Sequence, residues 1–405
     1  MDDGSRLLTG PDVGPLLRVA VDHAGGRLLS WRLHNVDAFP GRSTTATYMA
    51  RVGWPWGERD ELLGVSARAG ELSQADTNAA IFADGNREVA VWIYPADPDL
   101  PGLPRATVPD RVADLVNGAR LLGRTVLAAD LTVTMVGYRP RRRAVIRVTT
   151  GNPAETLYIK ALRPKVFDDI HERHLLLRRA GVPAPEVALT TPDNLLVLRG
   201  LPGSPLATAL FGVDEPCSAE QLIGLLDSMP PAVASLARRP PWSDAVQHYA
   251  QMVSAVAAPE VGADVVRVAE QVVAGLAGFP QGEEPTHGDF HEGQLHVAGG
   301  GIVGLLDVDT IGPGRRADDL ACLIAHMSTI QRMAPGQASR VRDLLARWVP
   351  VFDERVDPVE LRLRAAAVVV SLATGPYRGQ EPDWEAATRR MVRTAVGLIR
   401  QVAEG

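Results

Sequence analysis

The sequence predicts an α+β chain of two lobes, β-rich first and mostly helical second, with an extra β-rich block ahead of both. Three observations predict it. Short alternating apolar runs broken by Gly, Pro and Asp fill the first half; a Pro-rich joint divides that half; helical periodicity dominates after residue 202 and is interrupted once, by a small acidic hairpin. In the first block, RLLSWRL (Arg27–Leu33), TATYMARV (Thr45–Val52), ELLGVSA (Glu61–Ala67) and EVAVWIY (Glu88–Tyr94) read as strands. YPADPDLPGLP (Tyr94–Pro104) is the joint, and it closes an N-terminal cap of residues 1–104.

A helix over Pro109–Leu122 follows, then a second set of strands: LTVTMVGY (Leu131–Tyr138), RAVIRVTT (Arg143–Thr150) and TLYIKAL (Thr156–Leu162). FPGRSTTATYMARV with ELLGVSA faintly echoes YRPRRRAVIRV with TLYIKAL, a hint of internal duplication. From Val166 the spacing predicts a helix ending at Gly181. NLLVLRGLPGSPL (Asn194–Leu206) is a buried strand running into a Gly/Pro connector. Residues 105–201 thus form the β-rich lobe and 202–405 the helical one, and clefts between lobes are favoured sites for small ligands.

Composition narrows the function classes. Apolar residues are 46% and charged residues 22% of the 405, the profile of a soluble globular protein. The net charge of −6 argues against nucleic acid or an anionic membrane surface as partner. The longest apolar run, Ala365–Ala373, is far too short to span a bilayer, and the start MDDGSRLLTGPDVG has no signal-peptide core. Cys217 and Cys322 make neither a disulfide framework nor a zinc spacing, so a reduced cytoplasmic protein is expected. Of 42 basic residues only Lys160 and Lys165 are lysine. A chain that otherwise uses arginine has kept a compact point charge inside the strand LYIKAL, which suggests that the smaller cation is needed there; chance, since two lysines must fall somewhere, is the alternative.

The chemistry concentrates in THGDFHEGQLHVAGGGIVGLLDVD (Thr286–Asp309). Two apolar runs flank AGGG as a hairpin, so the fold-back brings Asp289 and Asp307 to one end. Phosphoryl transfer needs a base on the acceptor hydroxyl, oxygen ligands for Mg²⁺ and a cation on the phosphates. HGDFHEGQ, LLDVD and YIKAL carry these residue types, with Gln294 five residues after Asp289.

From about Tyr138 to Ala321, chiefly in HGDFHEGQ and LLDVDTIGPGRRADDLA, the chain resembles the aminoglycoside phosphotransferase and choline kinase-like family of small-molecule kinases. The resemblance implies a protein-kinase-like fold, with ATP and Mg²⁺ as cofactors. It implies Asp289 as catalytic base, Gln294 and Asp307 as Mg²⁺ ligands, and Lys160, held by Glu172, on the α/β-phosphates. His287 would order the loop by hydrogen bonding, Asp319 would brace it, and the connector from Arg199 to Leu201 would read the adenine. Two features depart from the family pattern. Gln294 stands where asparagine is usual, and a second acid, Asp309, follows Asp307; both resemble the maltokinases and related actinobacterial sugar kinases, as does the extra cap, and make Asp309 a further candidate for the metal shell. RPRRRAV (Arg139–Val145) stands where a glycine-rich turn should cover the phosphates, so Arg142 and Arg143 are candidates for phosphate contact, with a solvated turn as the equal alternative.

The implied reaction is transfer of the ATP γ-phosphate to a hydroxyl of a sugar-like or amino-sugar molecule. An aminoglycoside-resistance kinase is the alternative within the class, and a catalytically degraded kinase-like binding protein is the alternative outside it. Plainer expectations apply to the other residues. His291 and His296 read as ordinary loop and strand residues, because HEGQLH lacks zinc spacing. Asp318 reads as solvent-facing, Asp169 and His171 compete with Glu172 for the lysine, and Tyr377 and Trp384 with Arg378 read as core packing, with the lining of an acceptor pocket as the alternative.

Overall fold

The computed structural model describes residues 4–39, 43–69, 79–83, 87–151, 154–330 and 333–404. Part of the predicted echo, Pro40–Arg42, lies outside them. The chain divides into two units, one of Met1–His171, Val187–Gly200 and Arg378–Gln380, the other of Glu172–Glu186, Leu201–Tyr377 and Glu381–Gly405.

The first unit holds two antiparallel sheets of five strands. The first sheet contains β1 (Arg27–Phe39), β2 (Ser43–Trp54), β3 (Gly57–Ala69), β4 (Ala80–Ala83) and β5 (Arg87–Ile93), in the order β1-β2-β3-β5-β4. Alternation along β2 buries Ala46, Tyr48, Ala50 and Val52. Helix α1 (Gly14–His23) packs on β1 and β5 and buries Leu17, Ala20 and Val21, the stripe expected of a helix with one apolar face. Gly64 on β3 lies opposite Trp92 on β5, where a Cβ would fall 2.2 Å from the indole, so only glycine lets that ring lie flat on the strand.

The second sheet contains β6 (Leu131–Arg139), β7 (Arg143–Thr150), β8 (Thr156–Leu162), β9 (Val187–Thr190) and β10 (Leu195–Arg199), in the order β6-β7-β8-β10-β9. This repeats the strand order of the first sheet, with every ladder antiparallel in both. The faint echo in the sequence therefore coincides with a repeated topology. Strand β10 is buried on both faces. Leu195 and Val197 join a core with Val112 and Val116 of helix α2 (Pro109–Gly118), while Leu196 and Leu198 pack with Phe167 and Ile170 of helix α3 (Pro164–Arg179). Gly181 follows α3 with φ 80°, the left-handed stop that its position predicts.

The second unit is mostly helical: α4 (Ala219–Asp227), α5 (Val246–Ser254), α6 (Pro259–Leu276), α7 (Arg316–Thr329), α8 (Pro335–Arg355), α9 (Pro358–Leu372) and α10 (Trp384–Glu404). Helix α9 carries the longest apolar run and is buried on every side between α6, α7 and α10, which is why that run lacks amphipathic spacing. Among the described residues no helix is long and apolar enough to cross a membrane. Short strands complete the unit: β11 (Ser204–Pro205), β13 (Leu295–Ala298) and β14 (Gly301–Leu305) form one sheet, and β12 (Glu284–Thr286) pairs with β15 (Gly312–Gly314).

Candidate active site

The acidic loop begins where β12 ends. Thr286 donates its hydroxyl to Gly312 O (2.8 Å), which fixes the strand, and the chain then turns at Gly288 with φ 79°. A Cβ there would lie 2.8 Å from Thr310 O, so glycine is required both by conformation and by space. Asp319, in the first turn of α7 and 0% exposed, accepts the backbone N–H groups of His287 (2.9 Å) and Gly288 (2.8 Å). Burial pushes its carboxyl upward, against His287, Arg316 and those two N–H donors, which favour the anion. His287 Nε2 donates to Leu306 O (2.9 Å), and the Thr310 hydroxyl donates to His287 O (2.8 Å). Five hydrogen bonds thus tie the two sides of the loop together, and Asp289 projects from it with its side chain 24% exposed.

The hairpin sets the opposite wall. Leu295 pairs with Leu305, and Leu306 N donates to Gln294 O (2.7 Å), so Gln294 and Leu306 flank its open end and Asp307 comes next. Asp307 has φ 49° and ψ 53°, a left-handed conformation unusual for a residue with a Cβ and frequent at functional sites. Asp309 follows in the turn Val308–Thr310 and is buried. The apolar footing under both segments is Phe290, Leu295, Leu305, Val308 and Ile311, all fully buried.

The side-chain amide of Gln294 meets His291 Nε2 at 3.1 Å, and His291 Nδ1 accepts the Gly293 N–H (3.1 Å). Gln294 Nε2 is placed toward the ring, but with Nδ1 accepting the neutral ring carries its proton on Nε2, so the amide is assigned the other way round, with its oxygen toward the ring. That oxygen has a second lone pair. Gln294 and the Asp307 carboxylate therefore offer oxygen donors at the open end of the hairpin, the donor type a hard cation such as Mg²⁺ takes.

A second cluster lies against Asp289. The rings of His291 and His326 stack 4.0 Å apart at 8°, and Glu292 Oε2 is 3.8 Å from Nδ1 of each. Parallel rings hold their lone pairs in parallel planes that do not meet at one ion, so this is a poor transition-metal site. Burial lowers His291 to about 4 and His326 to about 3, and the two rings are neutral at pH 7. Burial, with Asp289 nearby, raises Glu292 to about 7, and its Oε2 has no hydrogen-bond partner. The expectation that His291 is an ordinary loop residue is corrected: it lies 4.0 Å from Asp289 Oδ2 and touches Gln294. His296 meets Pro202 O at 3.0 Å. Cys322 donates to Asp289 Oδ1 at 3.9 Å. The sequence reading missed Glu292, Cys322 and His326; the spacing of Asp319, Cys322 and His326, three and seven residues apart, places them on one face of α7 and was the available signal.

Asp318 is also corrected. It was expected to face solvent, yet its side chain is only 15% exposed and bound to Arg364 Nη1 (2.6 Å), and desolvation raises it to about 6. Its neighbour in sequence has the loop to hold, and Asp318 instead joins α7 to α9 through Arg364 and Glu360. Tyr377 and Trp384 pack edge to face on each other at 5.1 Å. Arg378 pairs with Asp37 (3.0 Å).

In the first unit, Lys160 lies on β8 between Val145 of β7 and Leu196 of β10 and is 7% exposed. Glu172, read as its holder, is exposed on α3, and its side chain makes no hydrogen bond or ion pair among the described residues; the buried charge beside it is Arg173, which donates to Ile311 O. Arg199 ends β10 and donates to Leu121 O (3.2 Å). Leu201, in the second unit, lies over Gly304 of the hairpin, where a Cβ would meet its side chain at 2.5 Å. Arg142 pairs with Asp37 (3.6 Å), and Arg143 opens β7 opposite Arg139 and Leu162.

A family model described as the phosphotransferase enzyme family matches residues 140–355, more than half of the chain and the whole stretch from the Arg-rich turn through α7. The chain belongs to this family of phosphotransferases. It is a small-molecule kinase with an α+β kinase-like fold. A search of curated proteins found no match. Among solved structures it is similar to a thermostable mutant of aminoglycoside phosphotransferase APH(4)-Ia (14% identity, TM-score 0.47, covering 68% of this chain and 96% of that one). It is also similar to a choline kinase from Cryptosporidium parvum Iowa II (12%, 0.48, 75% and 95%) and to macrolide 2'-phosphotransferase MphH from Brachybacterium faecium (18%, 0.41, 70% and 97%).

Proposed function

We propose that this phosphotransferase moves the γ-phosphate of ATP to a hydroxyl of a sugar or amino-sugar acceptor. One observation carries the reading: a loop locked by Asp319, His287 and Thr310 presents Asp289 beside the hairpin end that bears Gln294 and Asp307. Asp289 takes the acceptor's proton as its oxygen attacks the γ-phosphorus, and the bond from that phosphorus to the β-bridging oxygen breaks, so that ADP leaves. Gln294 and Asp307 would hold Mg²⁺, with Asp309 as a further candidate for its surroundings, and Lys160 would hold the α/β-phosphates. Bound Mg²⁺ would neutralise charge on the phosphate oxygens. The backbone from Arg199 to Leu201 meets the adenine. The glutamine at 294, the second acid at 309 and the additional N-terminal sheet favour a sugar over other alcohols, through the resemblance to maltokinase-like enzymes. The complete set of Lys160, Asp289 and Asp307 stands against a degraded, binding-only protein.

The test is a panel of monosaccharides, maltose, amino sugars, aminoglycosides, choline and homoserine assayed for Mg²⁺-dependent ADP release. A sugar or amino sugar is expected to respond; a response to choline or homoserine alone would sink the acceptor assignment.

Gln294 supplies a sharper check. Its amide sits one methylene further out than that of asparagine and already bridges to His291. Mg²⁺ demands near-octahedral geometry at about 2.0–2.1 Å, so shortening the ligand moves its oxygen out of place. Gln294→Asn, although it installs the residue common in the family, is expected to impair Mg²⁺-supported turnover, with partial rescue by Mn²⁺. Measuring kcat and the apparent metal constant for both ions decides it. Unchanged Mg²⁺ dependence would remove Gln294 from the metal.

A further inference from the structure

The turn between β6 and β7 is where a kinase of this reading covers the nucleotide phosphates, and here it contains no glycine. Arg142 N donates to Arg139 O (3.0 Å), and Arg139 faces Arg143 across the closed end of the ladder. At its apex Arg141 takes φ 59°, a left-handed conformation that disfavours a Cβ, yet its side chain is directed inward and the residue is only 6% exposed.

The partners of Arg141 come from the first sheet and from the joint after it. Its backbone N–H donates to Asp97 Oδ2 (2.7 Å). Its guanidinium donates through Nε and Nη2 to the two oxygens of Asp99 (3.0 and 3.4 Å) and through Nη1 to the Ser66 hydroxyl on β3 (3.0 Å). The network continues behind it. Tyr138 at the end of β6 donates to Asp97 Oδ2 (2.7 Å) and accepts from Trp92 Nε1 on β5 (2.8 Å). Asp97 is 2% exposed and also accepts the Asp99 N–H (2.9 Å). A second tie lies further out, where Arg142 meets Asp37 of β1 at 3.6 Å. A bidentate pair between a buried arginine and a half-buried carboxylate is more directional than a surface ion pair.

We infer that Arg141 is a positioning residue for ATP: the N-terminal sheet and its joint hold the phosphate-covering turn in place before nucleotide arrives. A glycine-rich loop orders on its ligand and loses conformational freedom when it does so; a turn already ordered by protein contacts does not. This explains together three features left separate by the sequence: the extra sheet, the acidic joint and the arginines in place of glycines. It also assigns the arginines different roles, with Arg141 directed into the protein and Arg142 directed at Asp37.

The inference rests on the proposed ATP reading, and the test separates the two. Arg141→Gly keeps the backbone N–H and suits a positive φ, so it removes the side-chain ties alone. It is expected to raise the ATP KM and Kd roughly tenfold, equivalent to about 1.4 kcal/mol, while the acceptor KM stays unchanged; a merely structural role would not produce that split. Hydrogen exchange of wild type provides a readout that does not depend on the variant folding. The amides of Arg141, Arg142 and Arg143 are expected to be protected without nucleotide and to gain little with it. Wild type that binds no ATP overturns the ATP reading and this inference with it. ATP binding that Arg141→Gly leaves unchanged, or turn amides protected only when ATP is added, overturns this inference alone.

Discussion

Asp289→Asn is expected to lower kcat by roughly 10²–10⁴ while ATP still binds. The substitution keeps shape and loses basicity. The loop has little reason to move, because its order comes from Asp319 on the His287 and Gly288 amides, from His287 on Leu306 and from Thr310 on His287, none of which uses the Asp289 carboxylate. Cys322 and His291 lie 3.9 and 4.0 Å from its carboxylate oxygens. A large loss of kcat with an unchanged melting temperature and ATP Kd is therefore the expected pattern. Turnover near that of wild type would remove Asp289 from the mechanism.

Lys160→Arg is expected to cost roughly 10²-fold in kcat, the scale of a misplacement of about 1 Å at a reacting group. Charge is kept, so a purely electrostatic role would tolerate the change. The site does not favour it: Lys160 is 7% exposed on a central strand, with Val145 and Leu196 as its ladder partners. A guanidinium there is broader, planar and forked, and it would place its donors differently on the phosphates. Steady-state kinetics with ATP as the varied substrate, checked against circular dichroism and melting, measures the effect. An arginine variant with normal kcat would show that the skewed lysine usage has no functional meaning.

The legible part of this protein was the part written in local pattern. Strand-like runs between turn residues marked four strands of each sheet but not the short β4 and β9, Gly181 marked the end of α3, and the AGGG turn set the register that puts Gln294 beside Leu306. His287, Asp289 and Asp319 could be singled out because they fall in short motifs with fixed spacing. What stayed hidden depended on tertiary burial. Asp318 and Asp319 are adjacent acids at a helix start, and sequence offers no way to see that one is buried beneath the loop and the other is half-buried against Arg364. Glu172 has the periodicity of a holder for lysine but an exposed place on its helix. His326 lies 35 positions after His291, and only the packing of α7 against the loop stacks their rings. The Arg-rich turn was ambiguous for the same reason: a run of arginines looks solvated until Asp97 and Asp99, more than forty residues earlier, are seen to hold one of them.

The most direct test of the central claim is ³¹P NMR of the wild-type reaction with ATP, Mg²⁺ and the acceptor that responds in the ADP-release panel. The expected result is loss of the ATP γ-phosphate resonance with matching growth of a phosphate monoester coupled to a carbon-bound proton of the acceptor, and no such growth with Asp289→Asn. Release of inorganic phosphate in place of a monoester, or monoester formed equally well by Asp289→Asn, would contradict it.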